Sequence, residues 1–290
     1  MKIAYIVDST ADLDLKYENH PDIYRVDLHI TYENGDVIID SKEESKIKEF
    51  YNRIKTEKVP PKTSQPTPQS FMDILDDIVE KGYDAVIGIT VSAKLSGTFQ
   101  TMKMIMEEYK DKLQVYPVNS ENTSYAIGNM VEQAMAMNEK NIEIEKIVEH
   151  LKWVASETDT YLLLKDLHNL VKGGRLGSTS AALGSLLRIR PIMMFDNEEG
   201  VKLYEKVRTD RRVMAKWIEL LVEKYERFKG NLEVVVVHGD VEQDALKIVE
   251  KFKDKFPDLN YHVFYLGTAL GVHGGNGAIG MEFIPNKFEK

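Results

Sequence analysis

The run AVIGITV at 85–91 limits the fold more than any other feature, because it has no charged residue and only Thr90 among its seven side chains is polar. A half-buried strand alternates apolar and polar residues. A strand apolar throughout is buried on both faces, as in a parallel sheet covered by helices. The flanking sequence fits that arrangement. Strands are predicted at 2–7 and 113–118, and helices at 68–81, 97–110, 122–139 and 143–157. The helix at 68–81 carries Phe71, Ile74, Leu75 and Ile78 at helical spacing. Alternating strands and helices indicate α/β architecture with a largely parallel sheet. Asn34-Gly35 between extended runs at 22–30 and 36–39 predicts a hairpin. A charged helix is predicted over 42–56.

The pattern restarts near residue 158 with a strand at 160–166, paired strands over 188–209 and a helix at 210–228. Strand 232–239, helix 241–255 and strand 261–266 complete a second α/β unit. Two α/β domains are expected: 1–157 with a mostly parallel sheet, and 158–290 with a mixed sheet. No Gly/Ser-rich linker separates them. They are therefore expected to pack closely around a cleft, a preferred place for a ligand.

Composition excludes several functions. Cysteine is absent, which removes disulfides, thiolate metal sites and a cysteine nucleophile. A net charge of −9 argues against a nucleic-acid partner, since phosphate binding needs a basic face. The opening MKIAYIVDST enters a strand at once, without the apolar core of a signal peptide. No 18-residue apolar run exists, so a cytoplasmic protein is expected. The seven histidines show neither HxH nor HExxH spacing, and no metal site is expected. There is no GxxxxGK[ST], so the chain has no P-loop for ATP. Ser96 does not lie in GxSxG, which weakens a hydrolase reading.

Three hydroxyl-rich turns fall at strand ends in the first half: Asp8-Ser9-Thr10, the stretch from Thr63 to Pro68, and the stretch from Ser92 to Thr98. Strand C-termini of a parallel sheet gather at one edge, where ligands bind. A Ser-Gly-Thr helix start at Ser96, Gly97 and Thr98 offers a hydroxyl and free N–H groups to a carboxylate or phosphate. Any one turn alone is as well explained by capping. Cations come from the second half: Lys172 and Arg175 around Gly173-Gly174, Arg188 and Arg190, and Arg208, Arg211 and Arg212 at a helix start. Arginines at a helix N-terminus oppose its dipole, which suggests that they face an anion, though any single one is as well explained by a solvated basic face pairing with the acidic surplus. The stretch 271–280 has five glycines and His273. So many glycines imply tight turns or close approach of backbone to a ligand, and His273 in such a loop is a candidate to contact a ligand oxygen. The formal GxGxxG there is not a dinucleotide site, because only ten residues follow it.

Taken in order, the segments DSTADL (8–13), TSQPTP (63–68), LSGTFQ (95–100), LHNLVKGGRLG (167–177), RPIMMF (190–195), EKVRT (205–209) and HGGNGAIG (273–280) resemble the DegV family. Its members include the fatty-acid-binding subunit of bacterial fatty acid kinase. The resemblance runs almost the full length. It implies two α/β domains with a long-chain fatty acid in a tunnel between them. It implies that Thr63 and Ser96 hydrogen-bond the carboxylate, with backbone N–H near Gly97, and that His273 lies close to the head group. Arg175 and Arg208 take the places of family arginines near the head group or the kinase-docking surface. The chain would have no catalytic residue and no cofactor beyond the lipid. It would present the carboxylate to an ATP-dependent kinase subunit and touch membranes only transiently for lipid exchange. Ala93, Asn119 and Arg190 depart from the more usual Ser, Asp and Lys. The rival readings are a small-molecule α/β enzyme acting on a phosphorylated or carboxylated metabolite, and a scaffold whose lipid is structural.

Overall fold

The computed structural model describes residues 1–165, 167–177 and 189–286. Arg188 lies outside the described residues. In chain order, β1 (Ile3–Asp8), β2 (Ile23–Val26), β3 (His29–Thr31) and β4 (Val37–Ile39) precede α1 (Glu44–Ile54). Next come β5 (Lys62–Ser64), α2 (Pro68–Glu80), β6 (Ala85–Thr90), α3 (Thr98–Glu107) and β7 (Gln114–Asn119). Then follow α4 (Tyr125–Glu139), α5 (Ile144–Glu157), β8 (Asp159–Leu163), α6 (His168–Gly173), β9 (Arg190–Asp196) and β10 (Gly200–Val207). The chain continues through α7 (Asp210–Phe228), β11 (Leu232–His238), α8 (Glu242–Lys253), β12 (Asn260–Tyr265), α9 (Thr268–Gly274) and β13 (Ile279–Pro285). These elements form two compact units, Met1–Asp40 with Thr63–Ser156, and Ser41–Lys62 with Glu157–Lys290.

The first unit is built on a four-stranded sheet in the order β2-β1-β6-β7, parallel throughout. Strand β6 is buried at all six positions, as its nearly continuous apolar sequence leads one to expect. Helix α2 starts with Pro68 behind the Thr67 cap, whose side chain accepts from the Ser70 N–H. Its Phe71, Leu75 and Ile78 pack with Met102 and Met106 of α3 against Ala4, Ile6 and Val86 of the sheet. Burying each of these large side chains contributes about 1.5–3 kcal/mol. Gly88 permits the close fit, since a Cβ there would lie 2.5 Å from the Met102 sulfur. The predicted hairpin is present. Strands β3 and β4 pair antiparallel around Gly35, whose φ is +91°.

The second unit has a six-stranded mixed sheet in the order β10-β9-β8-β13-β11-β12, in which β11 and β12 are parallel and the other pairs antiparallel. Strand β13 occupies a central place between β8 and β11, with all seven residues buried. The last strand expected from the sequence is 261–266, and β13 lies beyond it. The closing strand was hidden behind the glycines, and Glu282 interrupts its apolar run. The segment 41–62 also belongs to the second unit, although it lies within the 1–157 span. Helix α1 buries Phe50 and Tyr51, and the Tyr51 hydroxyl donates to the Leu266 carbonyl at 2.9 Å. Gly271 makes room for both rings, since a Cβ there would be 2.7 Å from Phe50 Cε1 and from the Tyr51 oxygen.

Candidate functional site

In the first unit the ends of β1, β6 and β7 open onto one edge of the sheet, where a ligand of a parallel α/β unit binds. Asp8 ends β1 and is fully buried. Its Oδ1 accepts from the Thr10 N–H (2.9 Å) and hydroxyl (2.6 Å), and its Oδ2 accepts from the Val91 N–H (2.6 Å). Burial pushes the Asp8 carboxyl up, while these donors pull it back down. Ser9 donates to Asp40 Oδ2 (2.7 Å) and accepts from the Leu28 N–H (3.0 Å). The first hydroxyl-rich turn is thus fastened inside the protein and ties β1 to the end of β6.

The turn after β6 is shaped by its own backbone. The N–H groups of Leu95 and Ser96 donate to the Ser92 carbonyl at 2.9 and 3.1 Å. Asn119 Oδ1 accepts from the Ala93 N–H at 2.9 Å. A neutral amide oxygen therefore anchors the start of this turn. Ser96 is half-buried, with its Oγ 2.8 Å from Thr98 Oγ1 and accepting from the Thr98 N–H at 3.3 Å. Gly97 is the exposed N-cap of α3 and supplies no side-chain cap. An α-helix leaves its first N–H groups without intrahelical partners, and they carry partial positive charge. A hydroxyl beside such a terminus can hold a carboxylate.

Thr63 is half-buried in β5. Two residues on, Gln65 reaches the same helix start. Its Nε2 donates to the Thr101 hydroxyl at 2.6 Å, and its Oε1 occupies the place of any Cβ at Gly97. Thr63, Ser96 and Gly97 therefore stand on two turns joined by Gln65. Sequence reading passed over Gln65 because an exposed amide in a turn gives no signal of which element it will meet.

In the second unit His273 sits in the last turn of α9, not in the glycine loop expected for it. The helix ends just beyond it at Gly275, whose φ of +73° and ψ of 175° only glycine adopts readily. The other glycines of 271–280 admit the protein's own groups at close range. A Cβ at Gly274 would be 2.8 Å from Leu266 Cδ2, and one at Gly277 would overlap the Lys165 side chain. Against His273 lies Gly173, where a Cβ would come within 2.6 Å of the ring Nδ1. Gly174, at φ +70°, turns the chain so that the Arg175 guanidinium donates to the Gly173 carbonyl. His273 and Arg175 are thus brought together. Burial, aided by the Arg175 charge, lowers the His273 pKa from 6.5 to about 4. The imidazole is neutral at pH 7 and can donate one N–H.

Arg208 is exposed after the end of β10, next to Thr209, which caps α7 by accepting from the Arg212 N–H. Arg190 is held by Asp210 in an ion pair, whereas Arg208 forms none among the described residues. No group of histidines, aspartates and glutamates that could hold a metal ion occurs among the described residues. No described helix is long and apolar enough to cross a membrane.

Comparison with known proteins places these features in a wider set. A family model described as "Uncharacterised protein, DegV family" matches residues 2–286. A DegV domain-containing protein of Listeria innocua is 34% identical over 287 residues, covering 97% of this chain and 98% of the relative. A solved fatty acid binding DegV family protein from Streptococcus agalactiae superposes with a TM-score of 0.91 at 28% identity, covering 99% of this chain and 100% of that one. A solved Bacillus subtilis protein, named as DegV, a fatty acid binding protein, gives a TM-score of 0.87 at 30% identity, covering 98% of this chain and 99% of that one.

Proposed function

Because the chain belongs to the DegV family, we propose that it is a cytoplasmic carrier that holds a long-chain fatty acid and presents its carboxylate to a partner kinase. The observation that carries this reading is the Gly97-capped start of α3, with the Ser96 hydroxyl beside it at the ligand-binding edge of a parallel sheet. Thr63 and Ser96 donate their hydroxyls to the carboxylate, and the N–H groups around Gly97 supply the positive end of the helix. Neutral His273 keeps one ring N–H that can serve as a further donor to a ligand oxygen. A 16-carbon tail removed from water contributes roughly 10 kcal/mol before ordering costs, so the tail supplies affinity and the head group supplies orientation.

In the joint reaction a carboxylate oxygen attacks the γ-phosphorus of ATP held by the kinase. The bond to the ADP oxygen breaks, and an acyl phosphate forms. The carrier contributes position, not a base or nucleophile. Such a carrier meets a membrane only in passing, to exchange lipid for phospholipid metabolism.

Ser96→Ala and Thr63→Ala are each expected to weaken fatty-acid retention about fivefold, the loss of roughly one hydrogen bond. Retention is read by organic extraction and mass spectrometry of the purified protein. Unchanged lipid content in both variants would sink the head-group assignment. Charge reversal at Arg175 or Arg208 is expected to lower kinase-dependent turnover about tenfold, in the range of a charge-assisted contact, while lipid content falls less. Equal loss of turnover and lipid would remove the docking role.

A further inference from the structure

We infer that Gln65 is a positioning residue for the carboxylate site, an inference that rests on the reading just proposed. Four observations bear on it. Gln65 stands two residues from Thr63 on the turn that runs from β5 into α2. Its amide nitrogen donates to the hydroxyl of Thr101, in the first turn of α3, at 2.6 Å. Its carbonyl oxygen lies over Gly97, where any side chain would collide with it. Pro66 is buried and Thr67 caps α2, so the turn is rigid beyond Gln65 as well.

The consequence is geometric. Thr63 lies in a short strand of the small β4-β3-β5 sheet, whereas Ser96 and Gly97 lie at the end of the main sheet. Neither sheet by itself fixes the distance between the two hydroxyls. The Gln65 amide spans that gap, because one end of it is bonded to α3 and its backbone is continuous with Thr63. This also accounts for glycine at the N-cap, a position where Ser, Thr, Asp or Asn would cap α3 better. A cap side chain would both displace Gln65 and occupy the N–H groups that the ligand needs. Gln65 itself carries no charge, so its oxygen beside Gly97 adds no anion next to the carboxylate.

The test measures fatty-acid dissociation and thermal unfolding in Gln65→Ala, Thr101→Val, Gln65→Glu and the double variant Thr63→Ala/Gln65→Ala. Gln65 is exposed and Thr63 and Thr101 are only half-buried, so all four are expected to fold with nearly the wild-type midpoint. Gln65→Ala and Thr101→Val should each speed dissociation about fivefold, the effect of one lost hydrogen bond. The double variant should dissociate no faster than Thr63→Ala alone, because Gln65 acts through Thr63. Gln65→Glu keeps the length but sets a charge against the carboxylate. Its defect should be larger at low salt and shrink as salt is added. Additive effects in the double variant, or a Gln65→Ala protein that holds lipid like wild type, would overturn the inference. If Ser96→Ala also holds lipid like wild type, the head-group reading fails with it. If Ser96→Ala loses lipid while the Gln65 variants do not, the positioning role alone is lost.

Discussion

Gly128→Ala is expected to cost about 3 kcal/mol of stability or to prevent folding, near the upper end of what overpacking produces. Gly128 lies in the first turn of α4 and is one of its buried residues. A Cβ there would overlap the Asp12 carbonyl oxygen, with the Asp12 carbonyl carbon 2.9 Å and the Leu13 Cα 3.4 Å away. These are backbone atoms, so no side chain can swing aside. The same segment is pinned on either side of the contact. Ser124 and Ala11 form a bridge, the Asp12 N–H donates to the Ser124 carbonyl at 3.1 Å, and the Ser124 hydroxyl donates to Asp12. Alanine improves helix propensity by about 1 kcal/mol over glycine, which is too little to offset the overlap. Because the clash pushes on the chain that follows Asp8 to Thr10, it should also disturb the edge of the sheet that carries the site. Urea unfolding of the purified variant measures the loss. A change of less than about 1 kcal/mol, the ordinary effect of a point substitution, would show that 11–13 yields freely.

The second large effect is a pH dependence carried by His273. Its pKa is about 4 in the folded protein and 6.5 as a free side chain. Between those values the unfolded chain holds a proton that the folded chain does not, so stability falls as pH drops from about 7 toward 4. Full expression of the shift corresponds to on the order of 3 kcal/mol. His150 and His238 are also lowered by burial, and carboxylates titrate at the acid end of the range. The measurement is therefore a difference. Unfolding free energy of lipid-free wild type and His273→Gln is compared from pH 7 to pH 4.5. Wild type should lose more than the variant. Parallel curves would mean that His273 is not held neutral by its surroundings.

Much of the architecture was legible because it depends on patterns local in the chain. Apolar runs such as 85–91 announce strands buried on both faces, and the stripe of Phe71, Leu75 and Ile78 marks the buried face of α2. The Asn34-Gly35 pair marks the hairpin because a tight turn needs positive φ. The order of the hydroxyl and glycine motifs also pointed to the family before any strand was paired. What could not be read was anything set by one segment meeting another far along the chain. Strand β13 gains its central place only by pairing with β8 and β11. Helix α1 joins the second unit because Phe50 and Tyr51 find room over Gly271 and Leu266. The glycines of 271–280 looked like a ligand loop, yet each relieves a contact with the protein itself, and His273 ends a helix. The lowered His273 pKa needs both the burial and Arg175. The Gln65 bridge to α3 needs residues 36 positions apart to close on each other. Periodicity and turn chemistry act over a few residues and are written in the chain. Burial, close approach and shifted protonation are properties of the packed molecule, and only the tertiary structure decided them.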